Sequence, residues 1–167
     1  MAQSQKLIIE NILRFIYVCT SVMDRLEVST ELLDTGKALN FLTCKIFGAV
    51  SLFVGVTRED TAGDGSKVVA LEFEADEPLL IGEMGVIVAK VREQFPELGN
   101  VFIQHRFGHV LIGEASIIVG ASSPHRKCAI HAVEALMESI KASLPIWKKE
   151  RYNNASHVWK HNSENKW

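Results

Sequence analysis

The chain has 167 residues, 47% of them hydrophobic and 23% charged, with a formal net charge of −2. That balance suits one domain with a real core, and near-neutrality excludes the global basic field that would hold nucleic acid or an anionic membrane. No run of apolar residues is long enough and free enough of charge to predict a membrane span.

Residues 1–24 carry Leu7, Ile8, Ile12, Phe15 and Ile16 at helical spacing, interrupted by Glu10, Asn11 and Arg14. Without a clean apolar run they read as a leader or terminal helix rather than a secretory signal, ahead of a single domain over residues 25–167. Thr30 to Leu33, with Gly36, predicts a short helix and its stop. FGAVSLFVGV, Phe47 to Val56, is apolar and β-branched and predicts a buried strand. After a turn at Gly63-Asp64-Gly65, VVALEFEA (Val68 to Ala75) ends in period-two alternation, the pattern of a half-exposed strand. Leu80, Met84, Ile87, Val88, Val91 and Phe95 then keep a 3.6-residue period until Pro96. Val101 to Gly108 and Glu114 to Ser122 predict a third and a fourth strand, and HVLIG between them has room for a short one. In the last helix, Ser123 is the expected N-cap and Pro124 the first helical residue. Ala129, Val133, Leu136, Ile140 and Leu144 form its core stripe, and Pro145 ends it. The order β-β-α-β-β-α predicts an α+β domain.

Cys19, Cys44 and Cys128 are scattered and odd in number. That argues for reduced thiols, a cytosolic setting and no zinc knuckle. His105 and His109 have a His-x-x-x-His spacing, but their neighbours predict strand and turn, so no metal pair is expected.

Cations gather at three places. His125 and Arg126 fall in the opening turn of the last helix, where free N–H groups and the dipole favour an anion and Arg can grip phosphate with a fork. Lys141 shares a helix face with Met137, and Lys148 and Lys149 follow Pro145 and Trp147 in the stretch LPIWKKERY. Like charges held close and half-buried make a lysine amine a usable base or nucleophile; the plainer alternative is a basic helix C-terminus that suits the dipole. Arg58 leaves the buried strand just before a glycine-bearing loop, with Glu59 and Asp60 as ready partners. Neither a phosphate loop nor a Gly-x-Ser-x-Gly elbow is present. The residues by themselves therefore describe an α+β domain that could bind a phosphorylated or carboxylate ligand.

Taken in order, SLFVGVTRED, LEFEA, HRFG, ASSPHRK and IKASLPIWKKERY resemble the large, catalytic subunit of molybdopterin synthase, from about Phe47 to about Trp159. The resemblance implies an α/β hammerhead-like fold with a mixed or antiparallel sheet, and a homodimer at the centre of a heterotetramer. At each end it implies a small ubiquitin-like sulfur carrier ending in a Gly-Gly thiocarboxylate. It implies transfer of two sulfurs to cyclic pyranopterin monophosphate, with no metal or redox cofactor. Lys141 then matches the catalytic lysine and Lys148 the second active-site lysine. His125 and Arg126 match the pair that meets the substrate phosphate, from either subunit. Arg58, Phe53 and Met137 match pocket residues, and Lys149 and Glu150 complete the Lys-Lys-Glu segment. The chain departs from the family in Val-Thr-Arg before the loop, in Asp76 where a tyrosine is usual, and in PLLIGEM at the helix start. The rival readings are a non-catalytic module for a small anionic metabolite and a structural subunit facing an acidic partner.

Overall fold

The computed structural model describes residues 22–160. The chain runs through β1 (Asp24–Ser29), α1 (Thr35–Leu42), β2 (Ala49–Val56), β3 (Val68–Glu74) and α2 (Glu77–Gln94). It continues through β4 (Val101–Arg106), β5 (Gly108–Leu111), β6 (Ala115–Ser123), α3 (Arg126–Ser143), β7 (Trp147–Tyr152) and β8 (His157–Lys160). The strands form two four-stranded sheets, ordered β1-β4-β6-β2 and β5-β3-β7-β8. Only β1 with β4 is parallel; every other pairing is antiparallel. This is the mixed α+β architecture expected from the order of elements. The leader expected over residues 1–24 lies outside the described residues up to residue 21. No helix among the described residues is long and apolar enough to cross a membrane.

The first sheet is covered on both faces, which is why β4 and β6 read as nearly unbroken apolar runs. On one face Val101, Ile103, Ile117 and Val119 meet Leu80, Met84 and Ile87 of α2 and Leu136 and Ile140 of α3. On the other face Phe102 and Ile118 meet Ala38 and Leu42 of α1. Alternate residues of the same strands thus feed opposite cores, as a period of two requires. Gly120 permits the close approach of α1: a Cβ there would stand 2.4 Å from Leu42 Cδ1 and 2.8 Å from Leu52 Cδ1.

Four local expectations are corrected. The first helix begins at Thr35, not Thr30, because the Asp34 carboxylate accepts from Gly36 N at 2.7 Å and caps it there. Gly36 therefore sits inside the first turn and stops nothing. The last helix starts two residues later than Ser123 and Pro124 suggest. Ser123 stays in β6, paired with Ala49, and its Oγ donates to the His125 carbonyl at 2.5 Å. His125, extended at φ −132° and ψ 145°, is the N-cap and supplies no side-chain cap bond. The residues after Pro145, expected as a helix exit, form β7 against β3 and then pair with β8. Finally, Cys44 is disulfide-bonded while Cys128 is a free thiol, against the expectation of an all-reduced set. A disulfide needs only two Cα atoms about 4.4–6.8 Å apart in space, and separation along the chain does not forbid that.

Candidate active site

α3 ends where the two sheets meet, and the site is built at that junction. On α3, Met137, Ile140, Lys141 and Leu144 fall at i, i+3, i+4 and i+7, so they share one face. Ile140 and Leu144 are buried and anchor that face, while Lys141 reaches past them. The chain then turns sharply, with Leu144 N donating to Ile140 O and Ile146 N to Leu144 O at 2.9 Å. Pro145 cannot continue the helix, and β7 leaves alongside β3. Phe73 pairs with Lys148 and Leu71 with Glu150, which directs both β7 side chains to the face shared with Leu71 and Phe73.

The result is a cavity of about 630 Å³. Its wall includes Phe53 and Gly55 of β2, Arg58 and Asp60 of the following loop, Met137 and Lys141 of α3, and Lys148 and Glu150 of β7. Residues up to 97 positions apart, Phe53 and Glu150, thus meet around one space. Three cations, Arg58, Lys141 and Lys148, line it with two carboxylates, Asp60 and Glu150. Arg58 Nε donates to both Asp60 oxygens at 3.1 and 3.2 Å, and its side chain remains 82% exposed. A pair so open to water is weak, so the guanidinium can exchange Asp60 for an anionic ligand at small cost. Backbone bonds from Thr57 N to Glu114 O and from Gly113 N to Thr57 O hold the start of this loop.

The inner wall is apolar apart from His105 and Ser116. His105 lies edge-on to Phe73 at 5.0 Å between ring centroids, and its Nδ1 bonds the Arg106 carbonyl at 2.9 Å. Burial pushes the imidazole down to about 4, so it is neutral at physiological pH. Ser116 Oγ donates to Gly55 O at 3.2 Å. With three cations against two carboxylates around a partly apolar lining, the cavity offers an entering anionic group cationic partners away from bulk water.

The remaining expected residues lie elsewhere. Lys149 points to the opposite face of β7, where it meets Glu72 at 3.6 Å and Glu74 at 3.4 Å and lies 4.1 Å from the centre of the Trp159 ring. His125 and Arg126 line a separate recess of about 410 Å³ with Lys127, Ile130 and His131. His125 gives no side-chain cap, so its ring satisfies none of the N–H groups in the opening turn of α3. Fifteen residues of helix, about 22 Å, separate Arg126 from Lys141. Reading the sequence missed His105, Ser116 and Tyr152 near the cavity, and Lys127 and His131 at the recess. Only the i, i+4 spacing of Lys127 and His131 could have signalled any of them.

The chain as a whole has known relatives. The sequence model described as MoaE protein matches residues 28–143. The chain belongs to this family. It is 37% identical over 147 residues to the molybdopterin synthase catalytic subunit 1 of Aedes aegypti, covering 87% of this chain and 94% of that one. With the molybdopterin synthase catalytic subunit of Taeniopygia guttata it shares 40% identity over 144 residues, 86% of this chain and 91% of the relative. Among solved structures, molybdopterin synthase from Staphylococcus aureus superposes with a TM-score of 0.76 at 34% identity, covering 81% of this chain and 96% of that one. A protein–protein complex of subunits 1 and 2 of molybdopterin-converting factor from Helicobacter pylori matches at a TM-score of 0.66 and 25% identity, over 87% and 94% of the two chains. The family match begins at residue 28, well before the motifs that carry the resemblance in the sequence.

Proposed function

We propose that this chain is the catalytic subunit of a molybdopterin synthase. It moves two sulfurs from the C-terminal thiocarboxylate of a small ubiquitin-like carrier to cyclic pyranopterin monophosphate. The observation that carries the reading is the meeting of Lys141, Lys148 and Arg58 around one cavity. Each transfer forms a carbon–sulfur bond to the pterin and breaks the acyl carbon–sulfur bond of the carrier, which leaves as a carboxylate once water supplies the oxygen. Charge develops on the acyl oxygen during that exchange, and Lys148 and Arg58 are placed to stabilise it. Protons leave and join the pterin side carbons, a task for the Lys141 amine. Phe53 and Met137 shape the apolar side of the cavity, and Glu150 faces the same space. A glycine tail can thread such a space because it brings no side chains.

His125 and Arg126, with the α3 N-terminus, suit the substrate phosphate. At about 22 Å from Lys141 along one helix, they serve the cavity of a second copy rather than their own, which makes the homodimer part of the site. The H. pylori complex of two different subunits supports a small partner for this chain as well. The cytosol is the compartment that goes with this reading.

The deciding experiment is incubation of the chain with the cyclic pterin and a thiocarboxylated carrier. Dithiolene product that appears only with the thiocarboxylated form supports the reading. Pterin affinity without the carrier and no turnover would instead favour a binding module.

A further inference from the structure

The loop that carries Arg58 leaves β2 at Thr57, and one tight turn between β5 and β6 takes both backbone groups of Thr57. Thr57 N donates to Glu114 O at 3.0 Å, and Gly113 N donates to Thr57 O at 2.8 Å. The turn runs from Leu111 to Glu114 and is closed by Glu114 N donating to Leu111 O at 3.0 Å. Gly113 stands at φ 84°, the left-handed conformation that such a turn assigns to glycine. Leu111 and Ile112 are exposed, so apolar packing does little to fix the turn. The Glu114 carboxylate fixes it: Oε2 accepts from Leu111 N at 2.9 Å and from Arg106 Nη1, at the end of β4, at 2.7 Å. Arg58 therefore lies between two anchors, Thr57 on one side and on the other Asp60, whose carbonyl accepts from Val68 N at 2.9 Å.

Two arginine–carboxylate pairs thus serve this loop, and burial separates their roles. The side chains of Arg106 and Glu114 are only 11% and 26% exposed. Loss of either partner would leave the other's charge poorly solvated, so this pair holds. The Leu111 N–H and the Arg106 guanidinium also keep the Glu114 carboxyl below its ordinary range, so it stays charged. Arg58 and Asp60 are open to water, and that pair yields to a ligand. Arg106 and Glu114 lie outside the cavity wall, so any effect they have on the chemistry passes through the loop. Position matters there, because a guanidinium stabilises a developing charge only where that charge appears.

We propose that Glu114, locked by Arg106, is a positioning residue that sets where the Arg58 guanidinium enters the cavity. The proposal rests on the synthase reading above and deepens it by giving that guanidinium its mount.

The test uses the complete enzyme with its thiocarboxylated carrier. Glu114→Gln should lower kcat about tenfold while the KM for the cyclic pterin stays within about twofold, the pattern of a misplaced transition-state contact. In an Arg58→Ala background the same substitution should change kcat by less than about twofold. An unchanged kcat overturns the proposal, and so does an equal fall in the Arg58→Ala background, which would make Glu114 merely structural. Hydrogen exchange reads the position without turnover: the Thr57 N–H should exchange about tenfold faster in Glu114→Gln, and unchanged exchange overturns the idea. If Glu114→Gln loses the fold, Glu114→Asp keeps the charge on a side chain one methylene shorter and carries both readings. Failure of the synthase reading looks different: the unaltered enzyme itself would give no dithiolene, and the Thr57 exchange would still decide the placement of the loop.

Discussion

The two sheets use the same backbone geometry to opposite ends. In β1-β4-β6-β2, the central strand β4 is buried along its whole length and both faces are packed by helices. In β5-β3-β7-β8, one face of β3 and β7 looks into the cavity and the other carries a ladder of charge. There Glu72 meets Arg151 at 2.5 Å, Lys149 at 3.6 Å and His109 at 3.9 Å. The first sheet is a scaffold whose worth lies in close packing; the second is a mount that leaves functional side chains open. Chemistry collects where a sheet face is left open by the helices, because reacting groups need both a fixed backbone and access to a ligand.

Substitutions can break this division or sharpen it. The largest effect is expected at the cavity. Lys141→Ala should lower sulfur transfer roughly a hundredfold to ten-thousandfold, the range for a lost acid–base group, and leave the melting temperature and carrier binding close to their original values. Single-turnover dithiolene formation measures this, and near-normal turnover would remove Lys141 from the chemistry.

The next effect belongs to the scaffold and to pH. His105 is neutral in the folded chain, with burial holding it at about 4 against an ordinary 6.5. The unfolded chain therefore binds the extra proton first. The stabilisation is complete above pH 6.5 and is lost as pH falls towards 4, by about 3 kcal/mol. Urea titrations at pH 7.5 and pH 4.5 should show that loss, and His105→Gln should flatten it. Equal slopes for both proteins would place the acid sensitivity elsewhere.

A third test asks how tightly the first sheet is packed. Gly120→Ala puts a methyl against Leu42 and Leu52 and should cost about 1–3 kcal/mol of unfolding free energy, the range for overpacking. Calorimetry reads it, and no change would mean that α1 can move aside freely. The smallest effect is expected on the charged face of the second sheet. Lys149→Ala removes two part-buried ion pairs and a ring contact, together worth about 1 kcal/mol, read as a shift of the urea midpoint. A large loss of pterin affinity instead would show that this face also serves the substrate.

Much of this was legible from residue order, for identifiable reasons. The strand over Phe47 to Val56 and the stripe from Leu80 to Val91 appear because burial acts on apolarity, which periodicity reads directly. β7 escaped because WKKERY has no apolar alternation: its period of two lies in its partners, cavity for Lys148 and Glu150, carboxylates for Lys149 and Arg151. The start of α3 was misplaced because Ser123 and Pro124 make a good local start, yet pairing with Ala49 keeps Ser123 in the sheet. His105 was read as an ordinary strand residue, since nothing in VFIQHRFG tells which side of β4 opens on a cavity.

The amino-acid order by itself determined the α+β class, the main buried strands and helices, and, through its motifs, the family. Those depend on local pattern, and neighbours along the chain write it. Only the tertiary structure decided that Lys141, Lys148, Arg58 and Glu150 share a cavity while Lys149 turns away and Arg126 lies a helix-length distant. Which side chains converge depends on strand register and on where the helix starts and stops. A shift of one residue in either exchanges a face, and pairing partners far off in the chain set both.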